Sequence, residues 1–403
     1  MLNKLRFVGL ISLLVSITAN ASDEISWQVS KSKERVLVVN QVNLDFQKSF
    51  WLLNLFANPR LKAVNHDYYA KGVINNFIDN YEIQRAIDLR EIGIEIINDY
   101  LELGFGKKIF NWSQVFELNP TDVVCSRDFT DVLNWERIGM TGAWLKTYFR
   151  DWGSSEGIVS FFTPARLPVS DNHWFVLPKG ISLQECILPK NQKQYSGKIS
   201  ANIAGFDINL LGHYGYNPFA YFQLINILPD GQIVLRPVYY RRHMTGLSAS
   251  RTLLLDIVFR TEAAYFVPET KAQDDSYVQT VLSLERFWPK LFRLNNLHLV
   301  LQYSRERIIQ NGKHPSPDNW ARIFKNHLGG QINLDINPDL KLYLKSIYNL
   351  DLKDSYLNCG TQLQISDKAK LNLSADVLSG AENSFFGQFD NQDRIKLNIE
   401  YLF

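Results

Sequence analysis

The last ten residues, Arg394 to Phe403, alternate strictly. Ile395, Leu397, Ile399 and Tyr401 fall on one face, and Arg394, Lys396, Asn398 and Glu400 on the other. That is the period of a strand with one apolar and one polar side. The same period recurs upstream over 369–378, 355–366, 339–350, 326–336, 294–307, 276–288, 251–266, 232–248, 206–214, 196–204, 155–163, 139–149, 97–110 and 81–93. The connections between these segments alternate in length. Those around 366–368, 337–339, 248–250, 205 and 151–154 are short, whereas 379–392, 308–325, 267–275, 215–231, 164–195 and 111–138 are long. Only 351–354 is brief where a long one is due. A soluble sandwich has no reason to alternate in this way. A transmembrane antiparallel up-and-down β-barrel, with short periplasmic turns and long extracellular loops, does. Fifteen strands fall between residues 81 and 403, and such barrels have even strand counts. The segment 36–46 makes sixteen, and two further strands within 47–70 make eighteen, the count adopted here with sixteen as the alternative.

The start of the chain fits the same architecture. Lys4 and Arg6 precede an apolar stretch from Phe7 to Ile17 and the small-residue site Ala19-Asn20-Ala21, so residues 1–21 read as a secretory signal peptide and 22–403 as the barrel. Nothing between the cleavage site and Arg35 is long enough for a separate domain. After the signal, no apolar run reaches the roughly 18 residues of a spanning helix. Aromatics make up 13% of the chain, a richness that suits girdles at two membrane interfaces. A formal charge of +2 gives no bias towards nucleic acid. The expected partners are therefore outer-membrane lipid and lipopolysaccharide around the wall, and a small hydrophilic solute within it. Of three cysteines, Cys125 and Cys186 both fall in predicted loops and are the pair expected if a disulfide forms in the periplasm.

Projecting the alternation inward places Lys108, Arg236, Arg242, Arg260 and Glu262 on the lumen wall, with Lys341, Lys345, Arg394 and Lys396. Leu253, Leu255, Ile257 and Phe259 project outward on one strand. Acidic and basic inward positions nearly balance, so the lumen has no predicted sign of selectivity. The connection 111–138 differs from the others. Val115, Phe116, Val123, Val124, Phe129, Val132 and Leu133 seek burial, and Asn119-Pro120 fixes a turn, so this loop is expected to fold into the barrel mouth. Asp122, Arg127, Asp128, Asp131, Glu136 and Arg137 then either line a narrowed passage or pin the loop to the wall through ion pairs. Catalysis has no comparable support. The one His-x-Ser is His314-Pro315-Ser316, followed by Pro317, and two prolines are incompatible with a ladder strand. The histidines show no metal-ligand spacing and no phosphate-binding glycine loop occurs, so neither enzyme activity, metal nor cofactor is expected.

Four motifs in order add a resemblance. They are Gly104 to Trp112, then Asn119-Pro120-Thr121-Asp122-Val123-Val124 with Arg127-Asp128, then Arg260-Thr261-Glu262-Ala263-Ala264-Tyr265, and finally Phe386 to Phe389 with Asp393-Arg394. Together they resemble a largely uncharacterised group of Gram-negative outer-membrane porin-like barrels, distantly similar to alginate-export and phosphate-selective porins. Two departures are the absence of the glycine that usually follows that tryptophan, where Ser113 stands, and Cys125 at a position expected to be small or polar. Phe403, as a C-terminal aromatic, resembles the signal read by the barrel-assembly machinery. The resemblance implies a porin-like channel for passive diffusion of small hydrophilic solutes. The rival readings are an exporter of an acidic polysaccharide, which would favour a strongly basic lumen, and a non-conducting structural or adhesive surface barrel.

Overall fold

The computed structural model describes residues 24–32, 36–64, 87–150, 152–167, 181–184, 188–270, 274–291, 295–312, 322 and 325–402. The predicted signal segment, Cys186 and Phe403 lie outside these residues. The chain forms one closed antiparallel barrel of eighteen strands. In order they are Glu24–Ser32 (β1), Val36–Asn43 continuing through Phe46–Phe50 (β2), Leu53–Val64 (β3), Ile87–Ile97 (β4), Leu101–Lys108 (β5) and Met140–Tyr148 (β6). Gly153–Phe161 (β7), Lys193–Ile203 (β8), Phe206–Tyr216 (β9), Arg241–Thr252 (β10), Ile257–Pro268 (β11) and Ser276–Pro289 (β12) follow. Asn296–Gln310 (β13), Asn326–Asp335 (β14), Leu340–Asn349 (β15), Ser355–Ser366 (β16), Ala369–Ser379 (β17) and Arg394–Leu402 (β18) complete the ring. Each strand pairs with its sequence neighbour, and β1 closes on β18 from Glu24↔Leu402 to Ser32↔Arg394. No strand edge is left open, which is how a sheet survives without water to satisfy its backbone.

The two parts of β2 are one strand, because both pair with β3 in a single register, Asn43↔Arg60 and Phe46↔Ala57. The irregularity falls opposite Pro59, which has no N–H to give to a ladder; the chain adapts with a register shift between Asn58 and Pro59 against β4. The outward face is apolar. Phe105, Ile199, Leu210, Leu301 and Ile395 are each 52–62% exposed, while their sequence neighbours point into the barrel. A face this apolar around the whole circumference matches a lipid-facing wall.

Several boundaries differ from the sequence reading. β1 lies directly after the predicted cleavage site, in nine residues too short and too polar at their end to stand out. The described part of the region 47–70 therefore contributes the end of β2 and one strand, β3, instead of two new strands. The turn expected at 248–250 is strand, and the chain turns at Leu254–Asp256, where Leu255 and Asp256 have φ of 62° and 56°. Leu255 is thus a turn residue rather than a mid-strand one. Ser248 and Ser250 were misleading because they are small for another reason: they face the packed interior, both buried. The predicted strand 232–248 is split at Tyr239–Tyr240. Its first part, Ile233–Val238, leaves the barrel and joins Tyr221–Ile227 and Ile181–Leu183 in a separate three-stranded sheet.

Candidate functional site

The connection between β5 and β6, residues 109–139, lies inside the barrel. Its apolar side chains reach different parts of the circumference. Phe110, Trp112, Val124 and Cys125 pack with Met140 and Trp144 of β6, Ile158 of β7 and Leu211 of β9. Val123 sits against Met244, Ala264, Phe266 and Tyr277 of β10, β11 and β12, and Val115 and Leu118 against Val281 of β12. Val132 and Leu133 cross to Ile347, Tyr356 and Leu378 of β15, β16 and β17, beneath Phe385, Phe386 and Phe389 of the last long connection.

Polar anchors fix that placement. Glu262 of β11 is fully buried, and among the described residues its carboxylate collects donors from the loop alone. Ser113 Oγ (2.8 Å), Gln114 N (2.6 Å) and Val115 N (3.2 Å) donate to Oε1; Thr121 N (3.3 Å) and Thr121 Oγ1 (2.7 Å) donate to Oε2. Five donors on one carboxylate replace the water it gave up, and they explain why a buried acid is tolerated there. On the far side, Arg394 Nη1 meets Asp131 at 2.9 Å and Arg394 Nε meets Asp376 at 2.6 Å, with Lys396 at 3.0 Å from Asp376. Burial would raise the Asp131 carboxyl, but Arg394 and then Lys396 outweigh it and hold the group below its ordinary value. A third anchor joins Glu136 to Arg60 of β3 at 2.5 Å, with Arg60 also 2.8 Å from Asp88 of β4.

The remaining predicted loop charges tie the loop to itself and to the next connection. Asp122 accepts from Arg127 Nη2 and Arg137 Nε, both at 2.7 Å; Arg127 also reaches Asn119 (2.8 Å), and Arg137 reaches Asn111 (3.0 Å). Arg127–Asp128 pairs as a short ladder with Glu136–Arg137, and Asp128 binds Arg166 at 3.1 Å. Cys125 is a free, buried thiol whose Sγ accepts from Phe110 N at 3.2 Å, and burial pushes it up to about 12. Cys125 packs in the apolar cluster with Phe110, Trp112 and Trp144, and its expected partner Cys186 lies outside the described residues.

Of the predicted wall residues, Lys108 pairs with Glu95 and Glu102, Lys345 with Glu117 at 2.8 Å, and Lys396 with Asp376. Arg260 and His298 share Glu285, both at 2.8 Å, in a ladder across β11, β12 and β13. Arg242 donates to the Tyr277 hydroxyl at 3.2 Å over the Phe266 ring, and Lys341 is half exposed, 3.9 Å from Asp335. Arg236 is a correction. It lies in the separate sheet, bound to Gln184 at 2.5 and 3.0 Å, and not on the wall.

Sequence reasoning passed over Arg60 and Asp88 on strands and Glu117 and Arg166 in connections, single charges with no pattern of their own. One signal did exist. Gly246, Ser248 and Ala264 are small inward residues on adjacent strands, and a Cβ on Gly246 would stand 3.2 Å from Thr121 Cγ2. Small wall residues mark where the loop lands.

Two of the cavities beside the docked loop share lining residues. One, of about 140 Å³, is bounded by Phe266, Tyr277 and Val281 of the wall; the other, of about 210 Å³, by Lys345 and Tyr356. Glu117, Asn119, Arg127 and Trp135 border both. Glu117, Arg127 and Lys345 keep 20–25% of their side chains open to water. Water therefore meets a paired but accessible set of charges at the loop's edge.

No family model and no curated protein matches the chain. Solved structures do. Wzi, an outer membrane protein involved in group 1 capsule assembly in Escherichia coli and a carbohydrate-binding β-barrel, is 11% identical with a TM-score of 0.53, over 98% of this chain and 87% of that one. OccAB3 of Acinetobacter baumannii is 11% identical with a TM-score of 0.52, over 94% and 97%. OccK11 (OpdR) of Pseudomonas aeruginosa is 11% identical with a TM-score of 0.50, over 94% and 93%. At this identity the likeness is one of fold. The fold is that of outer-membrane β-barrels.

Proposed function

We propose that the chain is an outer-membrane channel for passive diffusion of small hydrophilic solutes, with its bore narrowed by residues 109–139. The reading places it in the outer membrane after removal of residues 1–21, with Phe403 as the mark recognised during assembly. The observation that carries it is the pair of cavities meeting at Glu117, Asn119, Arg127 and Trp135 beside a loop anchored to the wall at Glu262, Arg394 and Arg60. Fixed charges in a low-dielectric constriction act strongly on a passing solute. Here most are neutralised by partners, so size and hydrogen bonding set the preference more than sign. No chemical step is required of any residue.

A second reading has its own support. The loop packs on wall strands from β6 round to β17, which suits a non-conducting structural barrel. Single-channel recording of the refolded protein separates the two. A channel shows small discrete steps that grow when residues 113–137 are replaced by a short Gly-Ser linker. A structural barrel is silent until the loop is removed. Equal conductance with and without the loop, in protein shown folded by heat-modifiable gel migration, would refute the constriction.

A further inference from the structure

At the long-loop end of β8, β9 and β10, a cavity of about 570 Å³ opens on the outside of the wall. It is lined by Asn191, Tyr195, Tyr214, Tyr216, Arg241 and Glu269, with Tyr239, Tyr240 and Thr270. The strand period fixes the face. Tyr195 shares its side with Ile199, and Tyr214 and Tyr216 share theirs with Leu210, both half exposed outward; Ser196 and His213, bonded to each other at 2.8 Å, point into the barrel. Arg241 is held over the Tyr214 and Tyr216 rings, 5.0 and 4.6 Å from their centroids, and donates to the carbonyls of Asn191 and Lys193 at 3.1 Å. Lys190 and Lys193 are exposed on either side of Asn191, and Glu269 accepts from the Tyr214 hydroxyl at 3.1 Å. Arg241 and Glu269 thus line a bed of aromatic faces, with the exposed Lys190 and Lys193 next along the chain on either side of the lining residue Asn191.

One pleat below, the same face is bare. Gly157 of β7, Gly197 of β8 and Gly212 of β9 are cross-strand partners in a row, directly beneath the Tyr195↔Tyr214 pair. A Cβ on Gly157 or Gly212 would meet nothing within 4 Å, and on Gly197 only a carbonyl at 4.0 Å. These glycines therefore serve no close packing inside the protein, although glycine weakens a strand. They leave a furrow flanked by Leu145, Ile199 and Leu210.

We infer that this cavity and furrow bind one molecule of the phosphorylated glycolipid of the outer leaflet, lipopolysaccharide. Its phosphates would meet Lys190, Lys193 and Arg241. A sugar ring would lie on the Tyr195 face with its hydroxyls towards Glu269 and Asn191, and an acyl chain would fill the glycine row. Charge-assisted bonds to phosphate, stacking, and burial of apolar chain each require what is present at that level. Phospholipid supplies no sugar for the aromatic bed, which is why the assignment is to the glycolipid. The inference rests on the outer-membrane reading above.

The test uses the full mature protein in detergent, with native mass spectrometry after titration with deep-rough lipopolysaccharide, the same material dephosphorylated, or phosphatidylglycerol. One lipopolysaccharide adduct is expected to survive activation that strips phosphatidylglycerol. Lys193→Ser with Arg241→Gln should weaken its retention at least tenfold. Gly197→Leu, a change with room for its side chain, should weaken the fully acylated form while leaving its de-acylated headgroup bound. Equal retention of phosphatidylglycerol, or undiminished retention in the double variant, overturns the proposal. Fractionation of cells into inner and outer membranes tests the underlying location separately, so a protein correctly placed but without glycolipid preference fails only the inference.

Discussion

Two long connections leave the same end of this barrel and meet different fates. Residues 109–139 turn inward and bury Leu118 and Val132 almost completely. Residues 217–240 rise away from the wall as the hairpin of Tyr221–Ile227 and Ile233–Val238, with Phe222, Leu224, Ile225 and Ile227 37–58% exposed. Both are rich in apolar residues, so apolar content alone does not decide which loop enters. The difference lies in what the wall offers. The inward loop meets a buried carboxylate at Glu262 and guanidinium groups at Arg60 and Arg394, each placed to satisfy its polar groups. The outer hairpin satisfies its own backbone by pairing, and at its base Asn217 donates to Tyr240, which in turn donates to Asp274 of the following connection. A loop with polar backbone enters a barrel only where its hydrogen bonds are met on arrival.

That comparison is most sharply tested at Arg394. Arg394→Ala leaves Asp131 and Asp376 buried with one cation fewer, and should destabilise the barrel by about 3–5 kcal/mol in urea titrations from bilayers. A loss under about 1 kcal/mol would mean the ion pairs follow docking and do not direct it. Glu262→Ala comes next, at about 2–4 kcal/mol, because the loop donors it served become unsatisfied. Single-channel conductance should rise with it, and Glu262→Gln, which keeps an acceptor oxygen, should do less of both.

The pH response is smaller and its sign is fixed. Asp131 sits below its ordinary 3.8 when folded, so its contribution is present above that value and is lost as pH falls through the lower folded value. The stability gap between the natural protein and Asp131→Asn should therefore be constant near neutrality and shrink below about pH 4. A gap that instead opens on acidification would contradict the Arg394 pairing. Smallest of all, Ile227→Ser in the outer hairpin should change stability by no more than about 0.5 kcal/mol and leave conductance unaltered. A cost of several times that would show that the hairpin is also packed against something.

The same contrast explains what was readable in the chain. Strands are read from period two, and each of the fifteen segments after residue 81 contains a barrel strand because each must present one face to lipid and one to the interior. Small residues at Ser248 to Ser250 suggest a turn, but the two serines are strand residues buried on the inward face, and Thr121 lies against Gly246 beside them. Ile233–Val238 reads as wall in the sequence because its apolar run looks the same whether it pairs inside the ring or above it. The six loop charges stood out as a group, but their partners Arg60, Arg166 and Arg394 are scattered along the sequence. Pairing across such distances leaves no local trace.

Those distances also order events during assembly. The loop is synthesised early, yet Glu262 follows Thr121 by 141 residues and Arg394 follows Asp131 by 263, in the strand that closes the ring on β1. Contacts of such span form late, after the entropy of closing the intervening chain has been met. An unfinished barrel therefore holds its loop at first by the Arg60 anchor alone, and only the last strand to arrive brings the final catch. The constriction is in this sense a certificate of closure: a molecule that has set it has already sealed its seam.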